Sequence, residues 1–446
     1  MQTVALHTLG CKLNFAETAS LARQFGLRGY NVVDDIDKPA NVVVLNTCSV
    51  TERADRECRQ LVRRALRTSP DAYVIIVGCY AQLRPDSLAA IDGVDLVLGT
   101  KEKFEIFTHA NWDKTAGARV LVSPIAEATG TQVSSSVGFS DRTRAFLKIQ
   151  DGCDYTCSFC TIPLARGASR SIPFSDVVRE AQSIVADGYK EIVLTGVNVG
   201  DYGKSIGSSL LEMLRGITAI DGLERVRVSS VEPNLLTNEL LEFWIESQKM
   251  CNHFHIPLQS GSDPMLAGMR RRYRRSWYAD RVATIKKNVP HAGIGADVIV
   301  GFPSETNEHF EETYAFLVDQ PLTYLHVFTY SERPNTPAAS FGEKVAPEIK
   351  AERSERLRML SRKKRHVFHE LLRGRTVNVL FEGSGHSETG LSDEYVRVNV
   401  PSRVPLTNQL LPVVIIESKD EECFGSLQTG AGPTGMFSSI AMMANP

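Results

Sequence analysis

The sequence lacks long apolar runs. No stretch of about 18 consecutive apolar residues, the length that a membrane-spanning helix needs, occurs in its 446 residues. The N-terminus, MQTVALHTLGCK, also lacks a basic region followed by an apolar one, which is the pattern of a secretory leader. We therefore expect a cytoplasmic protein with no membrane partner.

Excess charge of either sign is also missing, because 50 basic residues nearly balance 52 acidic ones. Hydrophobic residues make up 43% of the chain and charged residues 23%, which is typical of a globular protein and excludes global disorder. At about 150 residues per domain, this length predicts about three domains. The cysteine count of 9 is odd, so we expect thiols, metal ligands or catalytic groups instead of disulfides.

The first 115 residues alternate apolar runs with helical patterns. The runs are VALHT (4–8), VVVLN (42–46), YVIIV (73–77) and DLVLG (95–99), as strands buried on both faces require. They predict an α/β domain with an open, doubly wound parallel sheet. Residues 116–141, which include ATGTQVSSSVGFS, show little periodicity and indicate a linker.

Residues 142–370 again alternate strand and helix patterns. Six candidate strands begin near residues 145, 191, 225, 253, 296 and 324, and they predict a partial TIM-type (β/α)6 barrel with its active groups at the carboxyl ends of the strands. In residues 371–430 the runs TVNVLFEG, EYVRVNV and LPVVIIES predict a small antiparallel β-barrel. The small, polar, Met-rich segment 431–446 predicts a disordered tail.

Three cysteines stand close together in DGCDYTCSFCTIPLARG (151–167), at Cys153, Cys157 and Cys160. Zinc sites of structural type normally close with four ligands, and no second Cys-x-x-Cys or nearby His pair completes this set. Three thiolates on a four-iron cluster leave one iron open to a substrate or cofactor. A loop of unliganded thiols is the alternative, but the spacing after a strand favours the cluster.

This segment resembles the cluster loop of radical S-adenosylmethionine enzymes, whose open iron chelates the methionine part of the cofactor. The resemblance implies that Cys153, Cys157 and Cys160 are the ligands and the catalytic centre. It also implies that Phe159 packs near the adenine.

Three further cysteines, Cys11, Cys48 and Cys79, each follow a predicted strand of the first domain by a few residues. The carboxyl ends of parallel strands meet at one edge of an open sheet, where ligands bind. These thiols could therefore hold a second cluster. Coincidence among buried cysteines is the alternative.

TLGCKLN (8–14), NTCSVT (46–51) and GCYAQ (78–82) resemble the N-terminal domain of the methylthiotransferases, a radical S-adenosylmethionine subgroup. In that family the three cysteines bind an auxiliary four-iron cluster, and a small C-terminal barrel called TRAM follows the radical domain. TLGCKLN with FAET is similar to the branch that acts on threonylcarbamoyladenosine in tRNA.

Polar residues lie at the carboxyl ends of several strands of the predicted barrel. A bound cofactor needs such hydrogen-bond donors and acceptors. Each could also be an ordinary cap or turn residue. The LQSGS segment resembles a signature of the family. From these positions we expect cofactor contacts from Asn198, Ser229, Glu232 and Gln259.

The segment MRRRYRRSWY (269–278) interleaves arginine with aromatic residues, a composition suited to unpaired RNA bases. A solvated helix face is the alternative. A second basic block lies between residues 350 and 375, and together the two predict a polyanion partner. The expected substrate contacts are Arg271, Arg272, Tyr273, Arg274 and Arg275.

The resemblance implies a transferase that replaces the hydrogen at carbon 2 of threonylcarbamoyladenosine, at position 37 in the anticodon stem-loop of tRNA, with a methylthio group. Two 4Fe-4S clusters and S-adenosyl-L-methionine are the implied cofactors. An electron donor such as flavodoxin or ferredoxin is the implied partner, and the sulfur donor stays open. The alternatives are isopentenyladenosine in tRNA, a ribosomal-protein aspartate, or non-catalytic RNA binding with a structural metal.

Overall fold

The structure is a computed structural model that describes residues 1–48, 52–139, 143–382, 388–419 and 421–428, with the backbone alone for residues 52–55. The segment predicted as a disordered tail, residues 431–446, lies outside the described residues. No helix in the described part of the chain is long and apolar enough to cross a membrane.

The N-terminal domain is an open sheet whose strands all run parallel, in the order β2-β1-β3-β4-β5-β6. Strands β3 and β4 are buried at every position, as expected for runs rich in valine and isoleucine between two helical layers. The elements are β1 (Thr3–Thr8), α1 (Lys12–Gly26), β2 (Asn31–Val33), β3 (Val42–Thr47), α2 (Glu52–Thr68), β4 (Tyr73–Gly78), α3 (Cys79–Leu83), α4 (Pro85–Ala89), β5 (Leu96–Leu98), α5 (Ile106–His109) and β6 (Arg119–Leu121).

The segment predicted as a linker contributes to two sheets. Strand β6 completes the N-terminal sheet beside β5, and β7 (Ser134–Ser135) pairs antiparallel with the first strand of the central domain. Both strands are too short to give a periodic signal in the sequence, so the prediction missed them.

The central domain is a partial barrel of parallel strands in two halves, β12-β11-β8 and β13-β14-β15. Alternate strand residues face the covering helices and form one apolar cluster, and the others face the lumen. The elements are β8 (Arg144–Lys148), β9 (Gln150–Asp151), α6 (Ile162–Arg166), β10 (Arg170–Ser171), α7 (Phe174–Ala186), β11 (Glu191–Thr195), α8 (Leu210–Thr218), β12 (Arg225–Val228), α9 (Asn238–Glu246), β13 (His253–His255), α10 (Asp263–Gly268), α11 (Arg275–Asn288), β14 (Gly293–Val300), α12 (Asn307–Asp319), β15 (Tyr324–Thr329) and α13 (Pro347–Leu372).

The C-terminal domain is a closed β-barrel in the order β16-β17-β18-β20-β19. Its strands are β16 (Thr376–Phe381), β17 (Glu388–Ser392), β18 (Arg397–Val400), β19 (Leu410–Lys419) and β20 (Glu422–Leu427). Strand β17 lies where the sequence indicated a connection, because ETGLS is short and only partly apolar. The predicted fold class is confirmed.

Contacts on two sides of the central lumen join the domains. Helix α1 packs on the lumen side of the central barrel, where Ala16 meets Phe146 and Val193. The turn between β17 and β18 lies at the amino ends of the barrel strands, where Arg225 is 2.9 Å from Asp393. The lumen is therefore bounded by all three domains.

Candidate active site

The local cysteine triplet lies in the loop between β9 and α6. Gly152 precedes it with φ of +72°, and a Cβ there would stand 1.9 Å from the carbonyl oxygen of Ala168, so only glycine fits. The backbone N–H of Cys160 donates to the carbonyl of Cys157 at 3.1 Å. Further backbone N–H groups lie 3.4 Å from the Sγ atoms of Cys153 and Cys160. The loop thus folds tightly around its sulfur atoms.

Burial disfavours the thiolate form of two of these cysteines while no metal is bound. Burial raises the pKa of Cys153 to about 11 and that of Cys160 to about 12. Protons therefore stay on these sulfurs until a metal displaces them.

The cysteines of the second triplet each follow the end of a strand in the N-terminal sheet. Cys11, Cys48 and Cys79 follow the neighbouring strands β1, β3 and β4. Gly10, with φ of +103°, lies against Cys48, since a Cβ at Gly10 would stand 2.6 Å from the Cβ of that cysteine. Asn14 links the turns by donating to the carbonyl oxygens of Leu9 and Thr47.

A buried ion network lies between the two triplets. Glu17 of α1 accepts from Lys103, Lys148 and Arg166 at 2.7–3.1 Å, and Asp151 accepts from Lys148 and Arg166. Burial alone would raise the pKa of Glu17, but the three cations outweigh it and lower the pKa. Arg170 also lies 3.9 Å from Asp151, so four cations face two carboxylates and leave two positive charges in surplus.

Each triplet has a buried arginine on one of its sulfur atoms. Arg166 Nε lies 3.2 Å from Cys79 Sγ, and Arg271 Nη1 lies 3.2 Å from Cys157 Sγ. Arg271 is held in turn by an ion pair with Glu232. A cation at this distance stabilises a thiolate, and so it favours a sulfur that is bound to metal.

A cavity of about 190 Å³ opens beside the local triplet, and Phe159, Cys160, Gln259 and Asp297 line it. Gln259 adopts φ of +70°, which is rare for a residue with a side chain. Nearby strand ends carry two buried polar atoms, Asn198 Oδ1 and Ser229 Oγ, for which the described residues supply no hydrogen-bond partner. Unpartnered buried polar atoms are costly, so they indicate a polar ligand.

A chain of polar rings crosses the lumen below this cavity. His253 Nε2 lies 2.9 Å from the Tyr324 hydroxyl, which lies 3.1 Å from His255 Nδ1. Asp297 then joins His255 and His326, at 2.9 and 3.2 Å. Burial alone would raise the pKa of Asp297, but hydrogen bonds from the two imidazoles outweigh it and lower the pKa.

The basic segment 271–275 does not form one exposed face. Tyr273 is buried in the core and donates to the backbone carbonyl of Leu258, and the side chain of Arg271 is only 3% exposed. Their packing into the barrel is inconsistent with the predicted RNA contacts of these two residues. Arg272 and Arg274 are exposed, and Arg275 is partly buried with a 3.4 Å contact to the carbonyl of Gly261.

Helix α13 also differs from the basic block that the sequence indicated. Arg353 is buried against Glu305 at 2.6 Å, and Arg356 pairs with Glu311 at 2.6 Å. Much of its positive charge is therefore neutralised within the chain.

The sequence analysis missed the ion network and the polar chain of the lumen. A signal was present, because Lys148 and Asp151 are charges inside the apolar run AFLKIQD, and Glu17 lies on the apolar face of α1.

Two protein families match the chain. Residues 3–99 match the uncharacterized protein family UPF0004, and residues 147–317 match the radical SAM superfamily. The radical SAM methyltransferase TsrM from Kitasatospora setae has a similar structure, with a TM-score of 0.55 and 17% identity over 76% of this chain and 77% of its own. At that identity the likeness supports the fold alone.

Curated relatives match over nearly the whole length. The threonylcarbamoyladenosine tRNA methylthiotransferase MtaB of Bacillus subtilis (strain 168) is 39% identical over 94% of both chains. MtaB of Aquifex aeolicus (strain VF5) is 40% identical over 84% of this chain and 92% of its own. A tRNA-2-methylthio-N(6)-dimethylallyladenosine synthase of Acetivibrio thermocellus is 31% identical over 95% of this chain and 90% of its own. The chain therefore belongs to the radical S-adenosylmethionine methylthiotransferase family, in its threonylcarbamoyladenosine tRNA branch.

Proposed function

We propose that this transferase inserts a methylthio group at carbon 2 of N6-threonylcarbamoyladenosine, at position 37 beside the anticodon of tRNA. One observation carries the proposal. Two cysteine triplets flank one buried ion network, and a buried arginine touches a sulfur of each. The names of the relatives supply the substrate class.

In this proposal Cys153, Cys157 and Cys160 hold one 4Fe-4S cluster, and Cys11, Cys48 and Cys79 hold the other. When bound, the clusters and S-adenosyl-L-methionine supply a 5′-deoxyadenosyl radical together with the sulfur and the methyl group of the product. The residues present fit these groups, because each triplet offers three thiols, and Tyr330, which lines the cavity beside Cys160, has a buried hydroxyl with no hydrogen-bond partner among the described residues.

The side chains around the cavity bind and orient the cofactor. Asn198 and Ser229 offer a carbonyl oxygen and a hydroxyl to its polar groups, and Gln259 and Phe159 line the cavity wall. Glu232 acts through Arg271, since their ion pair fixes the guanidinium against Cys157. Partly buried apolar neighbours, Phe159 and Ile299, limit the access of water to a reactive radical.

The tRNA lies, in this proposal, across the mouth of the lumen. Arg272, Arg274 and Arg275 contact its phosphates, and the TRAM-like barrel binds the stem. The proposed domains are residues 1–115 for the auxiliary cluster, 116–141 as the connection, 142–370 for the radical chemistry and 371–430 for RNA. Flavodoxin or ferredoxin is the proposed electron donor, and the cytoplasm is the proposed location.

The reaction is tested with reduced, cluster-loaded protein, S-adenosylmethionine and a stem-loop RNA that carries threonylcarbamoyladenosine. Mass spectrometry of the nucleosides should find the methylthio product. Cys157→Ala should abolish 5′-deoxyadenosine formation, with a loss of at least about 100-fold, because the cluster beside the cofactor loses a ligand. Cys48→Ala should still form 5′-deoxyadenosine but no methylthio product.

Cys423→Ala is the matched control, because Cys423 lies in the core of the C-terminal barrel, away from both triplets. It should retain both activities. A methylthio product from Cys48→Ala, or modification only of an RNA that carries isopentenyladenosine, would contradict the proposal.

A further inference from the structure

Lys12 is a cation without a counter-ion in the lumen. Its ammonium lies 5.6 Å from the ring centroid of Tyr395, and it forms no ion pair or hydrogen bond with any residue that the structure describes. A carboxylate that influences it is Glu191, whose two oxygens already accept from Arg225 and Arg227.

Tyr395 is held in this place by a strained turn. Its φ is +70°, its ring stacks on His253 at 4.4 Å, and the Arg227 guanidinium lies 5.2 Å from its centroid. Burial alone would raise the pKa of Tyr395, but the positive charges of Lys12, Arg144 and Arg227 outweigh it and lower the pKa. Three positively charged side chains therefore act on the Tyr395 ring.

Arg144 is a second cation here, and one side of its guanidinium has no acceptor. Its Nε lies 2.5 Å from Glu382, while no acceptor for Nη1 or Nη2 occurs among the described residues. With Tyr395 and His326, it lines a cavity of about 220 Å³. A guanidinium with both terminal nitrogens available can bind a carboxylate through two parallel hydrogen bonds.

This cavity adjoins the radical site. Asp297 lines the cavity beside Cys160, and His326, which lies 3.2 Å from Asp297, lines the cavity beside Arg144. The Asp297–His326 pair is thus a wall that the two cavities share. For a substituent to reach Lys12 and Arg144, a base in the first cavity must extend it past His326.

We propose that Lys12 and Arg144 form a carboxylate-binding subsite, beside the ring of Tyr395, that takes the threonyl end of the N6 substituent. The inference rests on the proposed function, since the threonylcarbamoyl group ends in an ionised carboxylate and an isopentenyl group does not. A neutral, apolar substituent would leave Lys12 without a counter-ion and the terminal nitrogens of Arg144 without an acceptor. The subsite therefore selects the anionic nucleoside by penalising the neutral one.

The test measures binding, so that it does not depend on the chemistry. Three stem-loop RNAs of identical sequence carry threonylcarbamoyladenosine, its carboxamide analogue, or unmodified adenosine. The cluster-loaded wild-type protein should bind the first RNA about tenfold more tightly than the other two, the effect of a charge-assisted hydrogen bond. Lys12→Gln should remove this preference without weakening the binding of the carboxamide RNA.

Arg144→Gln should give the same pattern from a different segment of the chain, and Lys12→Arg should retain part of the preference. Lys38→Gln is the matched control, because Lys38 is exposed on the same domain as Lys12, and it should behave as wild type. Iron content and thermal unfolding of each variant show that it is folded and loaded.

If Lys12→Gln weakened the binding of all three RNAs equally, the proposal would be overturned. That result would show that the two cations contact the phosphates of the RNA backbone. An unchanged preference would overturn it as well. The proposed function fails in a different way, namely if the wild-type protein binds the anionic RNA selectively but forms no methylthio product.

Discussion

At the scale of single residues, each cysteine triplet has one sulfur in contact with a buried arginine. Arg166 contacts Cys79, Glu17 and Asp151, so one guanidinium joins the N-terminal domain to the central one. Glu17 is fully buried and contacts three cations. A carboxylate in such a position stabilises the protein mainly because its removal would leave the cations without compensation.

Glu17→Gln should therefore lower the free energy of unfolding by about 3–5 kcal/mol, the typical cost of breaking a buried ion pair from one side. Denaturant unfolding of the metal-free protein measures the change. Glu127→Gln is the matched control, because Glu127 is exposed and pairs with Lys101 at the surface, and it should have little effect. Equal stability of Glu17→Gln and the control would contradict the role given to the network.

The sequence predicted single residues well where a short motif constrains them. Cys153, Cys157 and Cys160 are close in the chain, so their spacing alone indicated a metal centre. Tyr273 and Arg271 show the limit, because composition suggested an exposed RNA-binding face and the fold packs both residues inward. Whether a charge is exposed depends on contacts with residues distant in sequence, such as that of Arg271 with Glu232.

At the scale of elements, helix α1 and the turn between β17 and β18 close the lumen from opposite domains. The turn contains Glu394, whose side chain is buried and whose Oε2 has no hydrogen-bond partner among the described residues. Burial, with a contribution from Asp393, raises the pKa of Glu394 to about 7. The folded protein thus binds a proton here that the unfolded chain has already lost, and its stability falls as pH rises from the unfolded pKa to about 7.

Glu394→Gln should remove this pH dependence. At about pH 8 the variant should be more stable than wild type by an amount on the order of 2–3 kcal/mol, and at about pH 4 the difference should vanish because the wild-type carboxyl is then protonated in both states. Thermal unfolding at the two pH values measures it, with the exposed Glu246→Gln as the control. A stabilisation that is the same at both values would show that the proton is not responsible.

Element prediction succeeded for long, strongly periodic segments. Strands β1, β3 and β4 lie within about one residue of the apolar runs that indicated them. Strands β6, β7 and β17 were missed, because two to five residues carry too little pattern and their strand form comes from pairing with a neighbour. The site needed α1 as well, whose start at Lys12 brings a cation into the lumen.

At the scale of the whole molecule, the domains converge on one lumen. The N-terminal sheet contributes Cys11, Cys48 and Cys79, the central barrel contributes the local triplet and the cavity, and the C-terminal barrel contributes Tyr395. The sequence predicted the order of these domains but not the docking of their surfaces, because the contacts that join them are single residues far apart in the chain, such as Arg225 and Asp393.

The central claim is that the two triplets hold two separate four-iron clusters. Iron and sulfide counting after anaerobic loading tests it on three proteins: wild type, a variant with Cys153, Cys157 and Cys160 changed to alanine, and a variant with Cys11, Cys48 and Cys79 changed to alanine. We predict about eight irons per wild-type chain and about four in each variant. One or two metal ions in wild type, or a variant that keeps the wild-type count, would contradict the account.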